Sequence, residues 1–95
     1  MMKIIELEFS GTITRIAGNP FGQQIYKEQI KDQMDLETVN KVIFPDYING
    51  VSISFVQGLM HEIVEEKGKN YFKNHFKLYS KNPVVNEKLQ RSVDF

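Results

Sequence analysis

The sequence predicts a single α/β domain, built on a mostly parallel sheet with helices packed on it. Three observations lead there. Short β-rich runs alternate with apolar patterns of helical period, which favours parallel strands joined by helices. Ninety-five residues are enough for one two-layer core and too few for two. A chain that is 41% hydrophobic and 25% charged has an ordinary globular composition. The expected order is β-β-α-β-α-β-α over one domain, 1–95, with right-handed crossovers and an antiparallel edge formed by an N-terminal hairpin.

The first strand is read from residues 3–9, where Ile5, Leu7 and Phe9 alternate with Ile4, Glu6 and Glu8. Ser10 and Gly11 read as a turn, and the β-branched run 12–16 as the hairpin's second strand. Gly18, Asn19 and Pro20 break the pattern, with Asn19 placed to cap a helix and Pro20 at its first position. That helix extends to about Met34, with Phe21, Ile25, Tyr26, Ile30 and Met34 near one face. Lys41, Val42, Ile43 and Phe44 form a run without alternation, as expected of a central strand buried on both faces. Pro45 ends its pairing, and a loop containing the turn dipeptide Asn49-Gly50 follows.

The second helix has the strongest signal. Phe55 and Val56, Leu59 and Met60, and Ile63 and Val64 recur every four residues, with Gly68 at the expected stop. Ser54 and Gln57 are spaced as in a capping box at its start. Residues 76–80 read as the last strand. Asn82-Pro83 opens a closing helix in which Val84, Val85, Leu89 and Val93 repeat at helical spacing.

The net charge is zero but unevenly spread. Residues 1–66 carry ten acidic and five basic side chains, and residues 67–95 carry two acidic and seven basic ones. The absence of cysteine excludes disulfides and thiolate metal sites and fits a reducing, cytoplasmic setting. The N-terminus turns acidic too early for a signal peptide, and no apolar run approaches the roughly 18 residues of a membrane span.

No catalytic constellation stands out. His61 and His75 are the only histidines, and His61 with Glu62 and Glu65 reads as an ordinary solvated helix face rather than a metal site. Gly18 and Gly22 are spaced for a turn, not for a phosphate loop. No metal, cofactor or enzymatic activity is therefore expected. Ser52 and Ser54 admit two readings, helix cap or the switch of a regulatory protein, and the spacing to Gln57 makes Ser54 the expected cap. Within 67–81 five lysines interleave with four aromatics. Lys69, Lys73, Lys77 and Lys81 are a candidate patch for an anionic partner, either an acidic protein surface or single-stranded nucleic acid. The plainer reading sends Phe72, Phe76 and Leu78 into the core and leaves the lysines in solvent.

Three stretches resemble the STAS domain family, named after sulfate transporters and anti-sigma factor antagonists, and in particular its small STAS-like branch. They are the Gly-Asn-Pro-Phe-Gly entry into the first helix at 18–27, the buried strand leading into a serine-containing helix start at 41–59, and the last strand and helix from Phe76. The resemblance implies a regulatory protein-binding module of bacterial or phage origin. Its implied partner is a histidine-kinase-like ATPase of the anti-sigma type, which phosphorylates a residue at the start of the second helix. Ser54, then Ser52, match that acceptor, and Asp46, Tyr47, Ile48, Asn49, Gly50, Ser52, Ser54 and Gln57 match the docking surface. An acidic residue usually precedes the acceptor, whereas Ile53 and Val51 stand there in this sequence. That departure motivates the alternative of an interaction or inhibitor protein of a mobile element without phosphoregulation.

Overall fold

The alternating N-terminal run forms a strand, but it pairs with a strand distant in sequence. The computed structural model describes residues 1–95. In chain order the elements are β1 (Met2–Glu6), β2 (Arg15–Ile16), α1 (Asn19–Ile25) with a π-helical continuation (Tyr26–Ile30), β3 (Val39–Ile43), β4 (Gly50–Val51), α2 (Ile53–Lys67), α3 (Lys69–His75), β5 (Phe76–Tyr79) and α4 (Pro83–Asp94). β3 lies at the centre of a three-stranded sheet, parallel to β1 and β5, while β2 and β4 form a separate parallel pair.

The expected antiparallel hairpin is therefore absent. Ser10 and Gly11 do turn the chain, with the Ile13 N–H bonded to the Ser10 carbonyl at 2.9 Å. The backbone groups beside that turn have other partners. The side-chain amide of Gln29 holds both the N–H and the carbonyl of Glu8, at 2.8 and 2.7 Å. The Tyr47 hydroxyl holds both groups of Phe9, at 2.9 and 2.8 Å. The Phe9 ring packs edge-on against Phe21 and Phe55. This segment is thus drawn over the helices before a hairpin ladder can start.

The sheet is covered on one face. Ile5, Val42 and Leu78 are opposed across the three strands and all are buried, whereas the neighbouring row Ile4, Lys41 and Lys77 lies on the open face. β3 is central as expected, but it alternates between buried and half-buried residues instead of being enclosed on both sides. At the end of the closed face sits Asn40, fully buried. Its side chain accepts from the Asp35 N–H and donates to the carbonyls of Asp35, Thr38 and His75. It thereby fastens the loop before β3 to the end of α3. Residues 69–75, which carry lysines between aromatics, form this additional short helix.

α2 buries Phe55, Val56, Leu59, Met60 and Ile63, as its period predicts. Each such side chain contributes roughly 1.5–3 kcal/mol when fully buried. α1 crosses α2 at two glycines. A Cβ on Gly58 would overlap the Asn19 carbonyl, and one on Gly22 would overlap the Phe55 carbonyl. The α1 cap also differs from expectation: Gly18, at φ 95, occupies the N-cap, and Asn19 is already helical and binds Gln23 at 2.6 Å. At α4 the Asn82 side chain does cap, accepting from Val84 and Val85, but Val84 itself points into solvent.

Near the crossing, burial, followed by the charges of Glu62 and Glu66, pushes the Tyr26 hydroxyl up from 10.0 to about 12. The folded state then holds this proton more tightly than the unfolded chain. The Tyr26 contribution is fully present below pH 10 and is lost as the pH rises toward 12.

Two predictions follow from this packing. Gly58→Ala would stabilise an exposed helix by about 1 kcal/mol, but here it should destabilise by about 3 kcal/mol or more in denaturant unfolding, because backbone must move to admit the methyl. Tyr26→Phe should remove part of the stability loss between pH 10 and 12 seen in unfolding curves, leaving the same curves below pH 9 parallel to wild type.

Candidate functional site

The start of α2 is built around one hydroxyl. Ser52 has extended backbone (φ −90, ψ 155) and is the N-cap, its Oγ accepting from the Phe55 N–H at 3.0 Å. The same oxygen accepts from the Gly18 N–H at 3.3 Å, tying the start of α1 to the start of α2. Ser52 Oγ also lies 3.0 Å from Ser54 Oγ. With two N–H groups on its lone pairs, the Ser52 hydroxyl donates its proton to Ser54. Ser54 is exposed, and its own proton is free to be given away.

This reverses the roles expected of the two serines. Ser52 is the cap, and Ser54 sits at the second helical position. No capping box forms, because the third helical position is Phe55, and Gln57 projects into solvent. The spacing Ser54 to Gln57 imitated the motif two residues late. The Gly18 link, which depends on the chain's return through β2, had no signature in the local sequence.

The other docking candidates divide between two surfaces. Asp46 and Tyr47 line a groove of about 540 Å³ at the carboxyl ends of the sheet strands, with Glu6, Glu8, Tyr79 and Lys81. That end of a parallel sheet is where open α/β folds present ligand sites. Tyr47 is 42% exposed, and its ring is fixed by the two bonds of its hydroxyl to Phe9. Ile48 is fully buried and supplies no partner contact, because it turns inward to fill the core beneath the loop. Asn49 is exposed and its N–H bonds to the Thr14 carbonyl at 2.7 Å, while Gly50 is half-buried beneath the Arg15 side chain. Gln57 belongs to a second groove, about 350 Å³, between α2 and α4, where Asn19, His61, Glu65, Lys69 and Phe95 also project.

The four lysines do not share one surface. Lys69 lies in the α2–α4 groove, and Lys73 is ion-paired with Asp94. Lys77 stands on the sheet's open face and also lines a small groove beside α4 with Lys73 and Asp94, while Lys81 faces the acidic groove at the sheet's carboxyl end. Phe72, Phe76 and Leu78 are buried. His61 lies two helical turns along from Ser54, about 10 Å by helix rise, beyond proton-transfer reach. His75 stacks on Tyr71 and bonds through Nδ1 to the Tyr71 carbonyl at 2.9 Å. Nowhere do three or more His, Asp or Glu side chains converge as a metal would require. No helix is long and apolar enough to cross a membrane.

Ser52→Ala should lower stability by about 1–2 kcal/mol, since it orphans the Phe55 and Gly18 amides, whereas Ser54→Ala should stay within about 0.5 kcal/mol of wild type. Equilibrium urea unfolding of the two variants distinguishes the roles, and the reverse order would refute them.

Comparison with protein-family models, with curated proteins and with solved structures gives no match to this chain.

Proposed function

We propose that this domain is a non-catalytic regulatory module that binds a protein partner through the start of α2, in the manner of the STAS-type anti-sigma factor antagonists its sequence resembles. The observation that carries the reading is the separation of the two serines. Ser52 takes the structural work of the cap, so Ser54 is an exposed hydroxyl that the fold does not need. A phosphate there adds about −1.5 to −2 of charge to the docking surface and breaks the complex by repulsion and desolvation on the partner's side. The implied partner is a histidine-kinase-like ATPase of the anti-sigma type. Tyr47 supplies a rigid aromatic surface beside the same loop, suited to act as an anchor.

The alternative without phosphoregulation draws on Ile53, which is half-buried where the family usually carries an acidic residue. In that reading the same surface binds constitutively. A nucleic-acid function has less behind it, because Asp94 pairs with Lys73 in the groove it shares with Lys77, and Lys81 faces a groove lined by Glu6, Glu8 and Asp46.

Incubation with an anti-sigma-type kinase and ATP should add the mass of one phosphate to the intact chain, and Ser54→Ala should abolish it while Ser52→Ala should not. Ser54→Asp should weaken kinase binding at least about tenfold in calorimetry, or about 1.4 kcal/mol. Phosphate that persists in Ser54→Ala, or binding that Ser54→Asp leaves intact, would overturn the switch.

A further inference from the structure

In a β-strand, the N–H and carbonyl of one residue point to the same side of the strand, and those of the next residue to the other. The Leu7 N–H bonds to the Ile43 carbonyl of β3's register at 2.9 Å. Lys3, Ile5 and Leu7 therefore face β3, and Met2, Ile4, Glu6 and Glu8 face away. Along that outward line Glu8 is already satisfied by Gln29, which closes the edge at that point. The opposite edge of the sheet is partly covered by α4. The Gln90 amide donates to the Leu78 carbonyl at 2.6 Å, and Asn86 accepts from the Ser80 N–H at 3.1 Å. On the β1 edge a short window of backbone at Met2, Ile4 and Glu6 stays open, with no side chain drawn across it.

We infer that this window pairs with the same window of a second copy, antiparallel about a two-fold axis at Ile4, to make one continuous six-stranded sheet. The register follows from the window itself. With Ile4 opposite Ile4, Met2 stands opposite Glu6, and every outward group of both strands is used, each opposed pair exchanging two hydrogen bonds. Moving the register two residues one way sets Lys3 opposite Lys3, which is repulsive. Moving it two residues the other way asks Met2 to pair with Glu8, whose groups Gln29 holds. A shift by a single residue would place inner-face side chains opposite outer-face ones.

The side chains agree with this occupant. Ile4 is 48% exposed and Met2 45%, a large apolar exposure for adjacent same-face positions of one short strand. In the pairing the two Ile4 side chains meet at the axis on the open face of the sheet. An isologous contact of this kind closes on itself, and the outer strands are then the β5 edges, which Gln90 and Asn86 partly cover. The start of α2 takes no part in this pairing, although Glu6 of the window also lines the groove that holds Tyr47.

Ile4→Pro tests the pairing cleanly. It deletes an outward N–H that the intrachain ladder does not use, and proline is tolerated on edge strands. Sedimentation of the wild-type chain over a wide concentration range should give twice the 11.1 kDa of one chain at the upper end. Ile4→Pro and Ile4→Lys should each weaken that association at least tenfold with unchanged circular dichroism. Because the chain has no cysteine, Ile4→Cys gives a second reading that survives if the proline variant fails to fold. Opposed Cα atoms about 5.5 Å apart suit a disulfide, so oxidation should cross-link Ile4→Cys and not Val84→Cys on exposed α4. A chain that stays monomeric at every concentration overturns the inference. So does a dimer that persists in Ile4→Lys and does not cross-link through position 4.

Discussion

The contact between α1 and α2 at Gly22 and Gly58 fixes most of what matters in this molecule. No side chain separates the helices there, so the Asn19 carbonyl meets Gly58 and the Phe55 carbonyl meets Gly22. Glycine in a helix interior costs up to about 1 kcal/mol each in backbone freedom. Close approach offsets this through dispersion contacts, and it sets the rest in position. Phe21 comes within 5.5 Å of Phe55 and 6.0 Å of Phe9, centroid to centroid, which gathers the chain after β1 over the helices. Gly18, one residue before α1, is left where its N–H reaches Ser52. The cap of α2 thus depends on the crossing, and the exposure of Ser54 depends on the cap.

The one-sided sheet explains how the remaining surface is divided. Parallel strands are usually covered on both faces, and here the uncovered face is made compatible with water by its own charges. Lys41 lies 4.4 Å over the ring of Tyr79, shielding an aromatic that would otherwise stand open, and Glu6 and Lys77 point outward on the flanking strands. The closed face tolerates a polar group because Asn40 has every partner it needs, and no buried side-chain polar atom of the protein lacks one. Polar side chains therefore act as fasteners throughout: Gln29 and Tyr47 at the end of β1, Asn40 before β3, and Asn86 and Gln90 beside β5.

These fasteners mark the limit of what the sequence made legible. Local periodicity identified β1, the buried face of α2 and the Asn82 cap, because each signal lies within a few consecutive residues. The pairing of strands was not local. Arg15 and Ile16 pair with the distant Gly50 and Val51, whereas adjacency in sequence suggested the hairpin instead. α3 was hidden because its lysines and aromatics read equally well as a solvated stretch before β5. The cap shifted by two residues because two serines with helix-compatible spacing compete, and only the distant Gly18 amide decides between them. For the same reason Ile48 was misjudged: a turn-rich loop looks exposed, yet one residue within it completes the core.

The geometry at Ser52 also constrains how any modification of Ser54 would act. A phosphate at the second position of α2 would sit beside first-turn amides and the positive end of the helix dipole, a favourable place for negative charge. Ser52 would still donate its proton to an oxygen at position 54 and still accept from Phe55 and Gly18. Neither the cap nor the crossing would be disturbed. Charge at Ser54 would therefore leave the domain folded as it is and act only where another surface has to be desolvated against it. A switch placed here works through the interface, with the fold as a constant.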